Sequence, residues 1–192
     1  MAGRQAKILT DRQIEILLAY ASATRNSLRN RVIVLLSTKA GLRAGEIANL
    51  TWDMVVGPTG EVGSLIELHN HAAKNNRGRR IPLHPDLRAA LVVWQTQGRT
   101  AVGHVIPSQR GAKMTAVSIV NWFAKAFRAA GLEGCSSHSG RRTFITRAAR
   151  VAHQAGASLR DVQLLAGHRS IQTTQRYIDG DTEAQRKLVS LI

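Results

Sequence analysis

A chain of 192 residues can bury one good hydrophobic core, and 44% hydrophobic against 20% charged residues excludes disorder over most of its length. Its charge is lopsided: 27 Lys and Arg against 12 Asp and Glu give a net charge of +15. Such an excess repels itself in a compact state and suits a polyanionic partner, nucleic acid before an anionic membrane surface.

In chain order, Thr10 and Gln13 form a capping-box pair, after which Ile14, Leu17, Leu18 and Ala21 recur at helical spacing. A second helix runs through Leu28, Val32, Leu35, Leu36 and Ala40 and stops at Gly41. A short third helix carries Arg43, Glu46, Ile47 and Leu50. The period then changes. Val62 to Leu68 and Arg79 to Leu83 read as two strands joined through the basic stretch HNHAAKNNRGRR, with Pro82 at a strand edge or end. Pro85 opens a helix to about Gln97, HVIPS is briefly extended, and helices follow over Thr115–Ala130, Ser139–Gln154, Leu159–Leu165 and Ile171–Tyr177. An amphipathic stretch, Glu183 to Leu191, closes the chain. The fold class this predicts is mainly α with a small antiparallel β-sheet, in one domain. No apolar run approaches the roughly 20 residues that span a bilayer. The start MAGRQAKILTDRQ lacks the apolar core of a secretory signal. The single Cys135 excludes an internal disulfide framework and fits a cytoplasmic location.

Four pieces place a cation, an acid–base group or a nucleophile at a predicted helix end or hairpin. They are Arg43 in AGLRAGEI, Lys74 in the hairpin ahead of RRIPL, His138 and Arg141 in HSGRRTF, and His168 nine residues before Tyr177 in LAGHRSIQTTQRYI. Each has a plainer reading. An isolated Tyr is usually interfacial, helix arginines are usually solvated, and His138 and His168 could be structural. Arg142 points about 100° from Arg141 on a helix, which suits a salt bridge or a phosphate contact. His69 and His71 share a strand face, but two imidazoles without cysteine or a carboxylate cluster make a poor metal site, and no metal is expected.

Taken together, in order and spacing, the four pieces resemble the catalytic domain of the tyrosine recombinase (phage integrase) family, from about Leu9 to Ile178. That resemblance implies the DNA breaking-rejoining fold. It also implies an activating pocket of Arg43, Lys74, His138, Arg141 and His168 around a nucleophile, Tyr177. Arg77, Arg79, Arg80, Arg142 and Arg169 would contact DNA. The chemistry calls for these types. Guanidiniums stay charged and donate paired hydrogen bonds to phosphate oxygens. A phenol with a pKa near ~10 needs a base, which His138 supplies, and Lys74 can protonate the leaving oxygen. No metal is expected, because the arginines replace it electrostatically, and no ATP, because the phosphotyrosine conserves the bond energy.

The resemblance further implies duplex DNA as partner, a homo-tetramer on two sites with accessory DNA-bending proteins, and a C-terminal segment, residues 181–192, that docks onto a neighbour. Family members usually carry an N-terminal DNA-clamping domain ahead of the region that begins here near Leu9. Two rivals remain at this point: a type IB topoisomerase with the same chemistry, and a non-catalytic DNA-binding protein that kept the fold.

Overall fold

The computed structural model describes residues 6–98, 102–109, 111, 113–177, 186 and 189–190. Helix α1 (Asp11–Ser22) starts where the sequence predicts. The Thr10 hydroxyl accepts from the Gln13 amide N–H at 3.2 Å, and the Gln13 side chain accepts from the Thr10 N–H at 3.0 Å. Its Ile14, Leu17 and Ala21 face α2 (Ser27–Lys39). That second helix is buried almost all round, from Arg29 to Thr38, because α1, α4 and α6 pack on three sides of it. It ends at Gly41, whose φ of +64° suits glycine. A Cβ there would also lie 2.4 Å from the Phe144 ring.

Helix α3 (Ala44–Asn49) follows, and then the sheet. Strands β1 (Leu65–Leu68) and β2 (Arg79–Pro82) are antiparallel, with Ile66 opposite Ile81 and Leu65 opposite Pro82. Both are shorter than predicted. Pro82 has no N–H to extend the ladder, and Val62 pairs with Val56 in a separate bridge. The connecting stretch is more structured than a plain hairpin loop. It makes 3-10 turns at Asn70–Ala72 and Lys74–Asn76, then turns back through Asn75 and Asn76, both at positive φ, which Asn tolerates better than most residues.

Helices α4 (Pro85–Gly98), α5 (Ala116–Ala129), α6 (Ser139–Val151), α7 (Leu159–Ala166) and α8 (Ile171–Gln175) complete the described fold. The segment HVIPS pairs at His104 with Thr51 and at Pro107 with Lys113. Two ends differ from expectation. α6 stops at Val151 and gives way to a 3-10 turn at His153–Ala155. α8 stops before Tyr177, whose N–H instead closes a turn on the Thr174 carbonyl at 3.0 Å. The predicted amphipathic segment at 183–191 lies largely outside the described residues. Among the described residues, no helix is long and apolar enough to cross a membrane.

The apolar interior divides in two. The main core gathers side chains from α1 to α5 and the sheet, with Trp52, Phe123 and Phe127 fully buried. A smaller cluster of Ile145, Ala152, Val162 and Ala166 joins α6 to α7, and Phe144, Leu159 and Tyr177 pack against it. Helix α6 links the two. Its Thr143 hydroxyl accepts from the Leu9 N–H at 2.7 Å, and Arg147 binds Asp11 and the Leu9 carbonyl.

Gly140 is where α6 crosses α2 most closely. A Cβ there would lie 2.3 Å from the Ser37 hydroxyl oxygen, which is buried and lacks a hydrogen-bond partner. Gly140→Ala is therefore expected to destabilise by about 1–3 kcal/mol through overpacking. Ser37→Ala is expected to be neutral or slightly stabilising, because it removes an unsatisfied buried hydroxyl. Urea unfolding of the two single variants and of the double variant Gly140→Ala/Ser37→Gly measures both effects, and the double variant should recover part of the loss.

Candidate active site

Helix starts and one helix exit deliver the predicted side chains to a common cleft. Arg43 sits at the N-terminus of α3, directly after the turn forced by Gly41 and Leu42. His138 caps α6, and Arg141 lies in its first turn. α7 ends on Gly167 at φ +65°, so the chain reverses at His168 and returns as α8, which leads to Tyr177. A cleft of about 390 Å³ is lined by Arg43, His138, Arg141, Arg142, His168 and Tyr177, all from the one chain. Arg176 also reaches its wall.

Arg141 is 3% exposed. It donates to the Gly41 carbonyl at 2.5 Å, to the Ala166 carbonyl at 2.6 Å, and to Nε2 of His168 at 3.1 Å. Three of the five guanidinium N–H bonds are thus engaged, and two remain. Burial, then the charge of Arg43, lowers its pKa to about 10, which leaves it protonated at neutral pH. Both α2's glycine turn and α7's last carbonyl are therefore fastened to one cation.

His168 is buried, and both of its nitrogens have partners: Nε2 faces Arg141, and Nδ1 meets the Thr174 hydroxyl at 2.9 Å. Burial, followed by the charges of Arg141 and Arg43, depresses its pKa to about 4. The ring is neutral at physiological pH. Because Arg141 can only donate, Nε2 accepts, the proton sits on Nδ1, and Nδ1 donates to Thr174. The ring also stacks on Tyr177, with centroids 5.3 Å apart. In this arrangement His168 holds Arg141 and the tyrosine segment rather than pointing a donor into the cleft.

His138 stands at the solvent-facing rim. Desolvation against the cleft wall, then the charges of Arg141, Arg43 and Lys74, lowers its pKa. It is thereby kept neutral and able to accept a proton. Lys74, on the hairpin, is exposed and lines an adjoining hollow with Arg43, Glu46 and Asn49 rather than the cleft itself.

The predicted DNA-contact arginines separate into three groups. Arg142 lies against the nucleophile candidate, its guanidinium carbon 6.0 Å from the Tyr177 ring centroid, and its buried Nε has no hydrogen-bond partner. It makes no salt bridge among the described residues. Arg77, Arg80 and Arg169 line a second hollow of about 730 Å³, where they are joined by Arg160, which the sequence reading missed. Arg80 pairs with Glu67 at 3.1 Å on the surface.

Arg79 does not fit a DNA contact. Its side chain is 7% exposed, two nitrogens bind the two oxygens of Glu46 at 3.0 Å each, and Nε donates to the Leu165 carbonyl at 2.8 Å. Its hydrogen-bonding capacity is turned inward.

Glu46 is the functional residue the sequence reading overlooked. It is 1% exposed and also accepts from the Arg43 side chain at 2.9 Å and the Arg43 N–H at 3.0 Å. Burial alone would raise its pKa, but the hydrogen bonds and charges of Arg79 and Arg43 outweigh that and hold it at about 2. The only sequence signal was its place three residues after Arg43 in a helix start, where a carboxylate satisfies free N–H groups. His69 and His71 pack edge to face at 5.6 Å beside Asp53, away from the cleft.

The two depressed imidazoles have a consequence for stability. A histidine whose folded pKa lies below its unfolded value stabilises fully above the unfolded value of about 6.5, and that stability is lost as pH falls toward the folded pKa. Glu46 has a depressed carboxylate pKa, and its contribution is lost only at lower pH, from about 4.5 toward about 2. Unfolding free energy is therefore expected to fall by on the order of 2 kcal/mol between about pH 7 and about pH 5. His168→Gln should flatten that slope, as read from urea midpoints across the range.

Comparison with known proteins places this geometry. Residues 7–184 match the family model described as "Phage integrase family". The tyrosine recombinase XerD of Pseudomonas putida is 30% identical over 156 residues, covering 78% of this chain and 49% of that protein. The XerD of Vibrio cholerae is 28% identical over 194 residues, covering 96% of this chain and 61% of that one. The chain thus spans about half the length of the relatives it matches. Among solved structures, XerA recombinase superposes with a TM-score of 0.77 at 22% identity over 98% of this chain and 65% of that one. A lambda integrase dimer bound to a COC' core site superposes with a TM-score of 0.69 at 21% identity, over 93% and 49%. The fold is that of tyrosine recombinase catalytic domains, and the chain belongs to the phage integrase family.

Proposed function

We propose that this chain is the catalytic region of a site-specific DNA recombinase with Tyr177 as nucleophile. The observation that carries the reading is the single cleft in which Tyr177, two guanidiniums and a neutral imidazole from distant stretches of one chain meet. Support also comes from the matched family and from solved relatives described as DNA complexes, including XerH bound to its difH substrate and the Tn1549 integrase with transposon right end DNA.

In the proposed step, the Tyr177 oxygen attacks the scissile phosphorus while its proton passes to His138. The bond from phosphorus to the 5′ oxygen breaks, and Lys74 protonates the departing oxygen. Arg43 and the two free N–H groups of Arg141 hold the non-bridging oxygens, where charge gathers in the transition state. The product is a 3′-phosphotyrosine and a free 5′-hydroxyl. Attack by the 5′-hydroxyl of a partner strand reverses the bonds and rejoins the DNA through a Holliday junction. Bond energy is conserved, so the cycle draws on no ATP, and the guanidiniums supply the charge stabilisation that a metal Lewis acid would otherwise give. His168 acts by holding Arg141 and the tyrosine turn. Arg77, Arg80, Arg160 and Arg169 would follow the flanking backbone, and a tetramer on two DNA sites, with accessory bending proteins, would bring the strands together.

A pool of nicked suicide duplexes with randomised cores tests this directly. Covalent adducts are captured, and mass spectrometry maps the modified residue. Tyr177 is expected to carry the adduct, and Tyr177→Phe should abolish it while retaining DNA binding. Arg43→Gln should slow adduct formation by about a hundredfold, on the order of 3 kcal/mol. No adduct in either form would leave a DNA-binding protein without this chemistry, and relaxation of any supercoiled plasmid without junction products would favour a topoisomerase.

Binding to the same pool should weaken with salt at a log–log slope of about −0.9 per phosphate contacted. Replacing Arg77 or Arg169 by Gln should make that slope shallower by about one. A slope unchanged in both variants would remove these arginines from the interface.

A further inference from the structure

Arg79 lies five residues beyond Lys74, at the start of β2, and makes three hydrogen bonds that end on two different parts of the pocket's support. Two are on the separate oxygens of Glu46, the residue that orients Arg43. The third is on the Leu165 carbonyl, in the last turn of α7, next to the Ala166 carbonyl that holds Arg141 and just before the reversal into His168. Gly167 makes room for it: a Cβ there would lie 3.0–3.1 Å from the Arg79 side chain. The hairpin and the Arg43 helix start belong to the main core, whereas Tyr177 packs on the small α6–α7 cluster.

We propose that Arg79 is a positioning residue for strand cleavage, clamping the lysine hairpin, the Arg43 carboxylate support and the nucleophile-bearing segment into one assembled pocket. This rests on the reading of Tyr177 as nucleophile. With Arg79 in place, each Glu46 oxygen is shared between two donors, and Arg43 gives the carboxylate only one side-chain nitrogen. Its other N–H groups stay free for a phosphate. Without Arg79 the buried carboxylate would recruit more of Arg43 to satisfy itself, turning that guanidinium out of the cleft, and the Leu165 carbonyl would lose its anchor. Lysine cannot substitute, because an ammonium has no planar fork to span a carboxylate and a carbonyl on two elements.

The test compares wild type, Arg79→Lys and Arg79→Ala on the randomised nicked-duplex pool. It measures the adduct rate at saturating DNA, the half-saturating concentration and the salt slope of binding, with circular dichroism and thermal melting to verify folding. The expected result is a loss of about thirtyfold or more in saturated rate for both variants, with half-saturation changed far less and the salt slope shallower by no more than the one phosphate contact that Arg43 makes. Added guanidinium ion should partly restore Arg79→Ala and leave Arg79→Lys slow. If Arg79→Ala does not fold, Arg79→Lys carries the test alone through its saturated rate.

A wild-type rate in folded Arg79→Lys overturns the proposal. So does a loss confined to affinity with a shallower salt slope, which would make Arg79 a phosphate contact. If wild type itself forms no Tyr177 adduct, the nucleophile reading fails. If wild type reacts and the variants match it, only the role of Arg79 fails.

Discussion

The cleft gathers like charges from distant stretches of the chain, and one buried carboxylate makes that possible. Among the described residues Glu46 is the only acidic side chain in the interior, and it touches both Arg43 and Arg79. Taking charges out of water costs several kcal/mol per ion unless geometry and hydrogen bonding are nearly complete. Glu46 meets that condition, with four donors on its two oxygens. Among the described residues Arg141 has no carboxylate partner. It is held by two carbonyls and a neutral imidazole, acceptors that leave its full positive charge facing the cleft.

The rest of the architecture serves this arrangement. α2 is a buried axle, and the glycine turn at its end presents a carbonyl to Arg141 and sends the chain into α3 at Arg43. α6 crosses α2 at the tight Gly140 contact, which fixes where Arg141 enters. The segment that carries Tyr177 is tied by side-chain bonds as much as by packing: His168 to Thr174, and the Thr146 hydroxyl to the Tyr177 carbonyl at 3.3 Å. Among the described residues the cluster beneath it has four buried members. A short turn on a small core moves at lower free-energy cost than a helix seated in the main core.

Neutral histidines recur for one reason. Burial, and then repulsion from the surrounding guanidiniums, disfavours a third and fourth positive charge and pushes both imidazoles toward the uncharged form. For His138 this preserves a proton acceptor. For His168 it fixes a tautomer that accepts from Arg141 and donates to Thr174. One electrostatic environment thereby assigns two roles.

Much of this was legible from residue order alone. Local signals such as the Thr10–Gln13 box, the Gly41 stop, the Thr115 cap and the period change near Val62 depend on backbone hydrogen bonding within a few residues, so the sequence determined most helices and the hairpin. It also determined which side chains could serve a phosphate, because the charge balance and the GLR, HSGRR and GHR…Y pieces are chemical facts before folding. The tertiary structure decided how those groups divide the work. Arg79 and Arg80 are neighbours in a basic run, yet alternation along a strand sends one inward to Glu46 and the other to the surface with Glu67. Arg142, 100° from Arg141 in a helix, still reaches Tyr177, because α8's approach brings the ring to it. Which cation is free for a ligand and which is consumed by the fold depends on contacts between segments more than thirty residues apart, as Glu46 and Arg79 are, and no local rule reaches that far.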